Sequence, residues 1–147
     1  MLPQVKINQP MNMVKKFILI TVVGFFFSLT ASSQSFNQST LTWSANEVVD
    51  LEKGDTIAMK CSFKTVGGAQ LIWSQRNGAL NTTYQITSLE GTWTNVAEPG
   101  SVTLTLLRNG KSSKARVERT KGGISITMDF SRPEAASHLY FRIVSVQ

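Results

Sequence analysis

The chain has 147 residues, and 15 Lys and Arg against 9 Asp and Glu give it a formal net charge of +6 at pH 7. Its single cysteine, Cys61, excludes an intramolecular disulfide framework and a multi-cysteine metal site. Its single histidine, His138, leaves too few nitrogen and sulfur ligands for a zinc or iron centre. We therefore expect a domain that is stabilised by packing alone.

The first 33 residues have the pattern of a secretory signal peptide. A positive start, a mostly apolar run and small residues before the cleavage position follow one another at Lys15-Lys16, at 17–29, and at Ala31 and Ser33. The apolar run is shorter than the roughly 20 residues of a transmembrane helix. We expect a natural start at Met13, cleavage near Ser33, and a single secreted or periplasmic domain over 34–147 with no membrane span.

Residues 34–147 alternate apolar and polar side chains in short segments that are separated by turn signals. No apolar repeat near 3.6 residues persists, so the pattern predicts strands and not helices. The predicted strands cover 36–43, 48–51, 56–64, 71–73, 83–89, 101–107, 111–119, 124–130 and 139–146, with 92–96 as a further short segment. Asn109-Gly110 lies between two of them and predicts a two-residue hairpin turn.

The predicted fold class is all-β. About eight antiparallel strands in one small domain favour a two-sheet sandwich or jelly roll, because the apolar face of a single antiparallel sheet must be covered. A small closed β-barrel is the alternative, since a sheet that closes on itself covers the same face. Cys61 falls on the apolar side of an alternating segment and is expected in the core.

An enzyme is not the favoured class. No nucleophile-elbow motif is present, and a catalytic triad would have to use His138 at the mouth of the last predicted strand. A carboxylate-dependent hydrolase stays open as an alternative, because it needs only two acids about 5 to 10 Å apart. Glu90, Glu118 and Asp129 are the candidates for such a pair.

Acidic side chains surround the predicted turn at Gly54. Asp50, Glu52 and Asp55, with Glu47 nearby, offer the oxygen ligands that calcium prefers, although their spacing fits no EF-hand loop. A structural calcium is the hypothesis, and solvated turn carboxylates are the alternative. No other cofactor is expected.

Basic residues gather around the predicted hairpin at Asn109-Gly110. A positive field there would attract anions, although charged side chains also protect an exposed strand from pairing with another molecule. The predicted anion-binding residues are Arg108, Lys111, Lys114, Arg116 and Arg119. No aromatic platform is interleaved with them, so a nucleic-acid partner is not expected.

Aromatic residues supply the other possible binding surface. Trp43 and Trp73 lie in apolar alternation and are expected in the core, whereas Trp93 lies between two threonines and is expected to be exposed. An exposed aromatic face with polar neighbours could bind a carbohydrate. The predicted ligand-binding residues are Trp93, Tyr84, Arg76 and Asn77.

The favoured function is an exported, non-catalytic binding module for a carbohydrate or another cell-surface partner. The carboxylate hydrolase is one alternative. A structural or adhesin-like subunit that assembles through an exposed edge strand is another.

Overall fold

Eight antiparallel strands pair in sequence order, and the eighth pairs with the first, which closes the sheet into a barrel. The computed structural model describes residues 35–130 and 137–147. The strands are β1 (Thr40–Asp50), β2 (Thr56–Val66), β3 (Gln70–Gln75), β4 (Leu80–Glu90), β5 (Gly100–Arg108), β6 (Lys111–Thr120), β7 (Gly123–Phe130) and β8 (Ser137–Val146). This order places the β1–β2, β3–β4, β5–β6 and β7–β8 connections at one end of the barrel and the other three connections at the opposite end.

The two-sheet sandwich or jelly roll predicted from the sequence is wrong. The β1–β8 ladder, which runs from Trp43 opposite Val146 to Asp50 opposite Leu139, leaves one continuous sheet in place of two. Alternation specifies that each strand buries one face, and a closed ring satisfies that requirement as fully as two packed sheets do. The all-β class is the part of the prediction that the structure supports.

A bulge explains why β1 was predicted as two strands. The Ser44-Ala45-Asn46 segment was expected to end the first strand, but it lies inside β1, where the register shifts against both β2 and β8. Ala45 and Val48 both face the interior although three positions separate them. A bulge of this kind bends and twists a strand without ending it, which suits a sheet that must close.

The hairpin predicted at Asn109-Gly110 is confirmed. β5 ends at Arg108 and β6 begins at Lys111, and the two residues between them have φ angles of 50° and 73°. Two successive positive φ angles match the right-handed twist of the flanking strands, and Asn-Gly accepts them at low cost. The segment 92–96, in contrast, is not a strand but belongs to the connection between β4 and β5.

Three aromatic rings plug one end of the barrel, hereafter the closed end. The Phe36 and Trp93 rings stack with centroids 6.2 Å apart, and each lies about as close to Trp43 on β1. The Phe36 amide donates to the Trp93 carbonyl oxygen at 3.1 Å, and Trp93 Nε1 donates to the Glu98 carbonyl oxygen at 2.9 Å. These bonds fix the segments before β1 and after β4 across the end of the barrel.

Side chains fill the interior above this plug. The largest fully buried ones are Trp43, Phe36, Phe63, Phe141, Leu41, Leu71, Leu104, Leu106, Ile126, Met128, Val102 and Val117. Each buried side chain of this size stabilises the fold by about 1.5 to 3 kcal/mol relative to an exposed one. Cys61 is buried among them, as its position in the alternation predicts.

The predicted signal peptide over 1–33 lies outside the described residues. Within the ranges 35–130 and 137–147, no helix has the length and apolar character needed to cross a membrane.

Gly100 tests how tightly the closed end is packed. A Cβ at this position would lie 2.4 Å from Trp93 Cδ1, and the ring cannot move away because it is stacked and hydrogen-bonded. We expect Gly100→Ala to lower the free energy of unfolding by about 1 to 3 kcal/mol, as overpacked core sites do. Urea unfolding measures the change. Gly122→Ala is the matched control, because its Cβ would meet only Thr120 Oγ1 at 3.5 Å; equal effects of the two substitutions would contradict the packing described here.

Candidate functional site

A cavity of about 630 Å³ opens at the end of the barrel opposite the aromatic plug, hereafter the open end. The β3–β4 and β5–β6 hairpins, the end of β7 and the start of β8 form its walls. Its lining residues are Trp73, Thr82, Tyr84, Arg108, Asn109, Lys111, Ser112, Ser113, Phe130, Ser137 and Leu139. We call this space the mouth cavity.

Aromatic side chains form the apolar part of the mouth cavity. The Trp73 ring stacks with Phe130, with centroids 6.2 Å apart, and with Phe63 below it at 5.7 Å. Tyr84 is 5% exposed, and Leu139 on β8 packs against the core from the same side. The floor is therefore rigid, since its rings are held by the filled interior beneath them.

Polar residues occupy the inward-facing positions just above this floor. Thr82 and Ser113 are buried hydroxyl residues at strand positions where the alternation leads one to expect apolar side chains. Arg108 follows Leu106 in the inward row of β5, and Lys111 precedes Ser113 in the inward row of β6. The inward-facing side chains thus change from apolar to polar near the open end, between the Leu106–Ser113 pair and the Arg108–Lys111 pair.

The predicted ligand-binding residues do not form one site. Tyr84 lines the mouth cavity, but Trp93 is 4% exposed and belongs to the plug at the closed end, so the expectation that it is exposed is wrong. Arg76 and Asn77 lie in the turn between β3 and β4, and Asn77 borders a second cavity of about 450 Å³ next to Cys61. The flanking threonines predict that Trp93 is exposed. The β4–β5 connection, however, folds across the closed end of the barrel and buries the Trp93 ring.

The predicted anion-binding residues are divided between two faces of the barrel. Arg108 and Lys111 line the mouth cavity, whereas Lys114 and Arg116 occupy exposed positions of β6. Arg116 Nε donates to Glu118 Oε2 at 3.1 Å on the same outer face. Arg119 is partly buried near the opposite end of β6. Only the first two of the five therefore belong to the open end.

Several residues of the mouth cavity are not among the site residues predicted from the sequence, namely Trp73, Thr82, Ser113, Phe130 and Leu139. Trp73 was assigned to the core, and its burial supports that assignment, but its ring also forms the cavity floor. One signal was available in the sequence. Thr82 and Ser113 are polar residues in the inward rows that continue with Tyr84 and Ala115, and ligand sites combine apolar walls with a few polar groups of this kind.

Glu118 and Asp129, two of the three carboxylates proposed for hydrolysis, are not brought together. Glu118 lies opposite Ser125, and Asp129 is four residues further along β7, which places their backbones about 13 Å apart at the usual strand rise. Glu118 is paired with Arg116, and Asp129 is hydrogen-bonded to His138. Neither lines the mouth cavity.

Among the acidic residues proposed for calcium, Asp50 uses its carboxylate within the turn itself. Asp50 Oδ1 accepts hydrogen bonds from the Glu52 and Lys53 amides at 3.0 and 3.2 Å, and the Asp55 carbonyl oxygen accepts one from the Asp50 amide. Among the described residues, no group of three or more His, Cys, Asp or Glu side chains is arranged to hold a metal ion.

His138 lies between two carboxylates on the outer surface. Its Nδ1 is 2.5 Å from Asp129 Oδ1, and its Nε2 is 3.7 Å from Glu52 Oε1. The hydrogen bond to Asp129, followed by the charges of Asp129 and Glu52, raises the pKa of His138 above its ordinary value of 6.5. The cluster ties the start of β8 to β7 and to the β1–β2 turn.

Comparisons with known proteins give no family for this barrel, because no family model, no curated protein and no solved structure matches the chain. The geometry of the open end is therefore what indicates a function.

The His138 cluster makes stability depend on pH. Because the folded-state pKa is raised, the stabilisation is fully present below the unfolded-state pKa and is lost as the pH rises through the folded-state pKa. We expect the urea midpoint to fall over this range, starting near pH 6.5, and His138→Gln to remove that part of the slope. Proton NMR of the only histidine gives its pKa directly. A value at or below 6.5 would contradict the cluster geometry.

Cys61 should react slowly in the folded protein. Burial raises the pKa of its thiol, and the contact with the Trp73 side chain opposes this only in part. Since the thiolate is the reactive form, we expect labelling by a disulfide reagent to be at least roughly tenfold slower in the folded chain than in urea. Equal rates under the two conditions would show that Cys61 is accessible in the folded state.

Proposed function

We propose that this protein is a non-catalytic binding protein that holds one small ligand in the mouth cavity. The observation that carries the proposal is a cavity of about 630 Å³ with an aromatic floor and a polar rim, above an interior that large side chains fill. Small-molecule sites typically measure about 300 to 1,000 Å³ and combine apolar walls with a few polar groups. An eight-stranded barrel is just wide enough to be filled by side chains or to hold one small ligand.

The rigid floor supports binding of a flat or apolar molecule. Trp73 is held between Phe63 and Phe130, so a ligand that contacts the part of the ring facing the cavity does not have to order the ring first. Pre-ordered contact surfaces bind more tightly because less conformational freedom is lost on association. The aromatic contact proposed for Trp93 from the sequence is thus replaced by one at Trp73 and Tyr84.

The residues around the cavity argue for binding without turnover. Its described lining contains no histidine and no carboxylate, so the groups that most often transfer protons in hydrolysis are missing from it. We therefore do not favour the hydrolase. We also do not favour assembly through an edge strand, since closure of the barrel gives every strand a neighbour on both sides.

The volume of the mouth cavity, about 630 Å³, suits a small ligand better than it suits a polymer or the surface of another protein. A sugar ring could stack on the aromatic floor, and it remains among the ligands to be tested. The signal-peptide pattern of residues 15–33 supports a site of action outside the cytoplasm.

A neutral fluorescent probe tests the binding function. N-phenylnaphthylamine is aromatic and uncharged, and its emission rises when it leaves water. We expect the full-length protein to bind it saturably in a one-to-one ratio. Leu139→Trp should weaken this binding at least roughly tenfold, because the larger side chain fills the mouth cavity.

Val144→Trp is the matched control. Val144 lies on the same strand as Leu139, but it is 57% exposed, so a larger side chain there leaves the cavity unchanged. Urea unfolding of both variants verifies that they fold. No saturable binding by the wild-type protein, or equal loss in the two variants, would refute the proposed site.

A further inference from the structure

We infer that the ligand of the mouth cavity is an organic anion, whose acidic group is held by Arg108 and Lys111 and whose apolar body lies on the aromatic floor. This inference rests on the proposed function and specifies the class of ligand. The first observation is that both cations lie at the ends of inward-facing rows of side chains.

Register places the two side chains together on the inner face of the β5–β6 hairpin. Arg108 and Lys111 form the last residue pair of the ladder, and the pair before it in the same row joins Leu106 to Ser113. Because side chains alternate between the two faces of a strand, both cations belong to the inward rows. A solubilising edge would instead carry its charges on outward positions, as Lys114 and Arg116 do.

Among the described residues, the lining of the mouth cavity carries positive charge without a compensating acid. Its described lining includes two cationic residues and no Asp or Glu. The ion pairs among the described residues use Lys53, Arg116, His138 and Arg142, and none of them involves Arg108 or Lys111. Two like charges at adjacent positions repel each other, and an anionic ligand would remove that repulsion.

Tyr84 holds the arginine against the cavity wall. The Arg108 guanidinium carbon lies 6.0 Å from the centre of the Tyr84 ring, within the range of a cation–π contact. This contact leaves the N–H groups at the edge of the guanidinium available, and those groups bind carboxylates in pairs. Arg108 is exposed and Tyr84 is buried, so the contact holds the guanidinium beside the cavity wall while it remains accessible to a ligand.

Neutral donors lie beside the two cations. Asn109, Ser112 and Ser113 line the same hairpin wall, and amide and hydroxyl groups can donate further hydrogen bonds to an acidic group. Trp73 and Phe130 supply the apolar surface. A carboxylate or sulfonate attached to an aromatic or aliphatic body matches both parts of the cavity, whereas a neutral sugar would leave the cations unpaired.

A pair of matched probes tests this inference. Anilinonaphthalene sulfonate has the same aromatic body as N-phenylnaphthylamine and adds one negative charge. We expect Arg108→Met combined with Lys111→Met to weaken binding of the sulfonate about tenfold and to change binding of the neutral probe by less than about twofold. The measurements use the full-length protein at moderate salt, where attraction by distant surface charge is screened.

Lys114→Met combined with Lys121→Met is the control for net charge. It removes the same charge from exposed positions outside the mouth cavity, so we expect both probes to bind within about twofold of the wild type. If the control weakens sulfonate binding as much as the cavity variant does, a general positive field attracts the probe and the inference is refuted.

The outcomes distinguish the two proposals. Failure of both probes to bind the wild type refutes the proposed function and the inference with it. Unchanged sulfonate binding in the cavity variant refutes the anion inference alone. If the cavity variant loses both probes, the exchange Arg108→Lys with Lys111→Arg decides: retained sulfonate binding supports the inference, and lost binding overturns it.

A second comparison uses competitors that carry no fluorescent group and measures how strongly they displace the neutral probe. An aromatic carboxylate should displace the neutral probe at least about tenfold more strongly than its methyl ester, which has the same body without the charge. Equal displacement by the acid and the ester would overturn the inference.

Discussion

Pairing between β1 and β8 is the constraint on which the rest of the structure depends. Without it the sheet would have two free edges and one uncovered apolar face; with it the sheet encloses a space whose width is fixed by eight strands. That space must be filled by side chains or left for a ligand. Large side chains fill it from the closed end, where Phe36, Trp43 and Trp93 form the plug, as far as the Trp73 and Phe130 rings. The mouth cavity is the space that remains between these two rings and the open end of the barrel.

The alternation of side chains was sufficient to predict most strands, because each strand buries one face whichever way the sheet folds. Asn109-Gly110 was sufficient to predict a hairpin, since its backbone preferences are local. The barrel itself was not predictable from such patterns. Closure depends on a ladder between residues such as Trp43 and Val146, which no short segment specifies. The sequence also predicts a strand end where β1 has its bulge. A bulge and a turn both interrupt the alternation of side chains, so the sequence pattern does not distinguish them.

The site was predictable only in fragments. Arg108, Lys111 and Tyr84 were selected from the sequence, but as members of two separate groups, one basic and one aromatic. Register across the β5–β6 hairpin separates the two cations from Lys114 and Arg116, and the Arg108–Tyr84 contact joins the groups at one wall. Trp93 shows the opposite case. Its polar neighbours favoured exposure, whereas the stacking with Phe36 that buries it depends on a segment more than 50 residues away.

Ring closure also has a kinetic consequence. The β5–β6 and β6–β7 hairpins join strands that are neighbours in sequence, whereas the β1–β8 ladder joins residues about 100 positions apart. Bringing distant segments together has an entropic cost that local hairpins avoid, so pairings of this kind form late and slow the folding of β-rich domains. Until the ladder forms, β1 and β8 are open edges that can pair with another chain. Closure of the ring is therefore the step that removes both open edges at once.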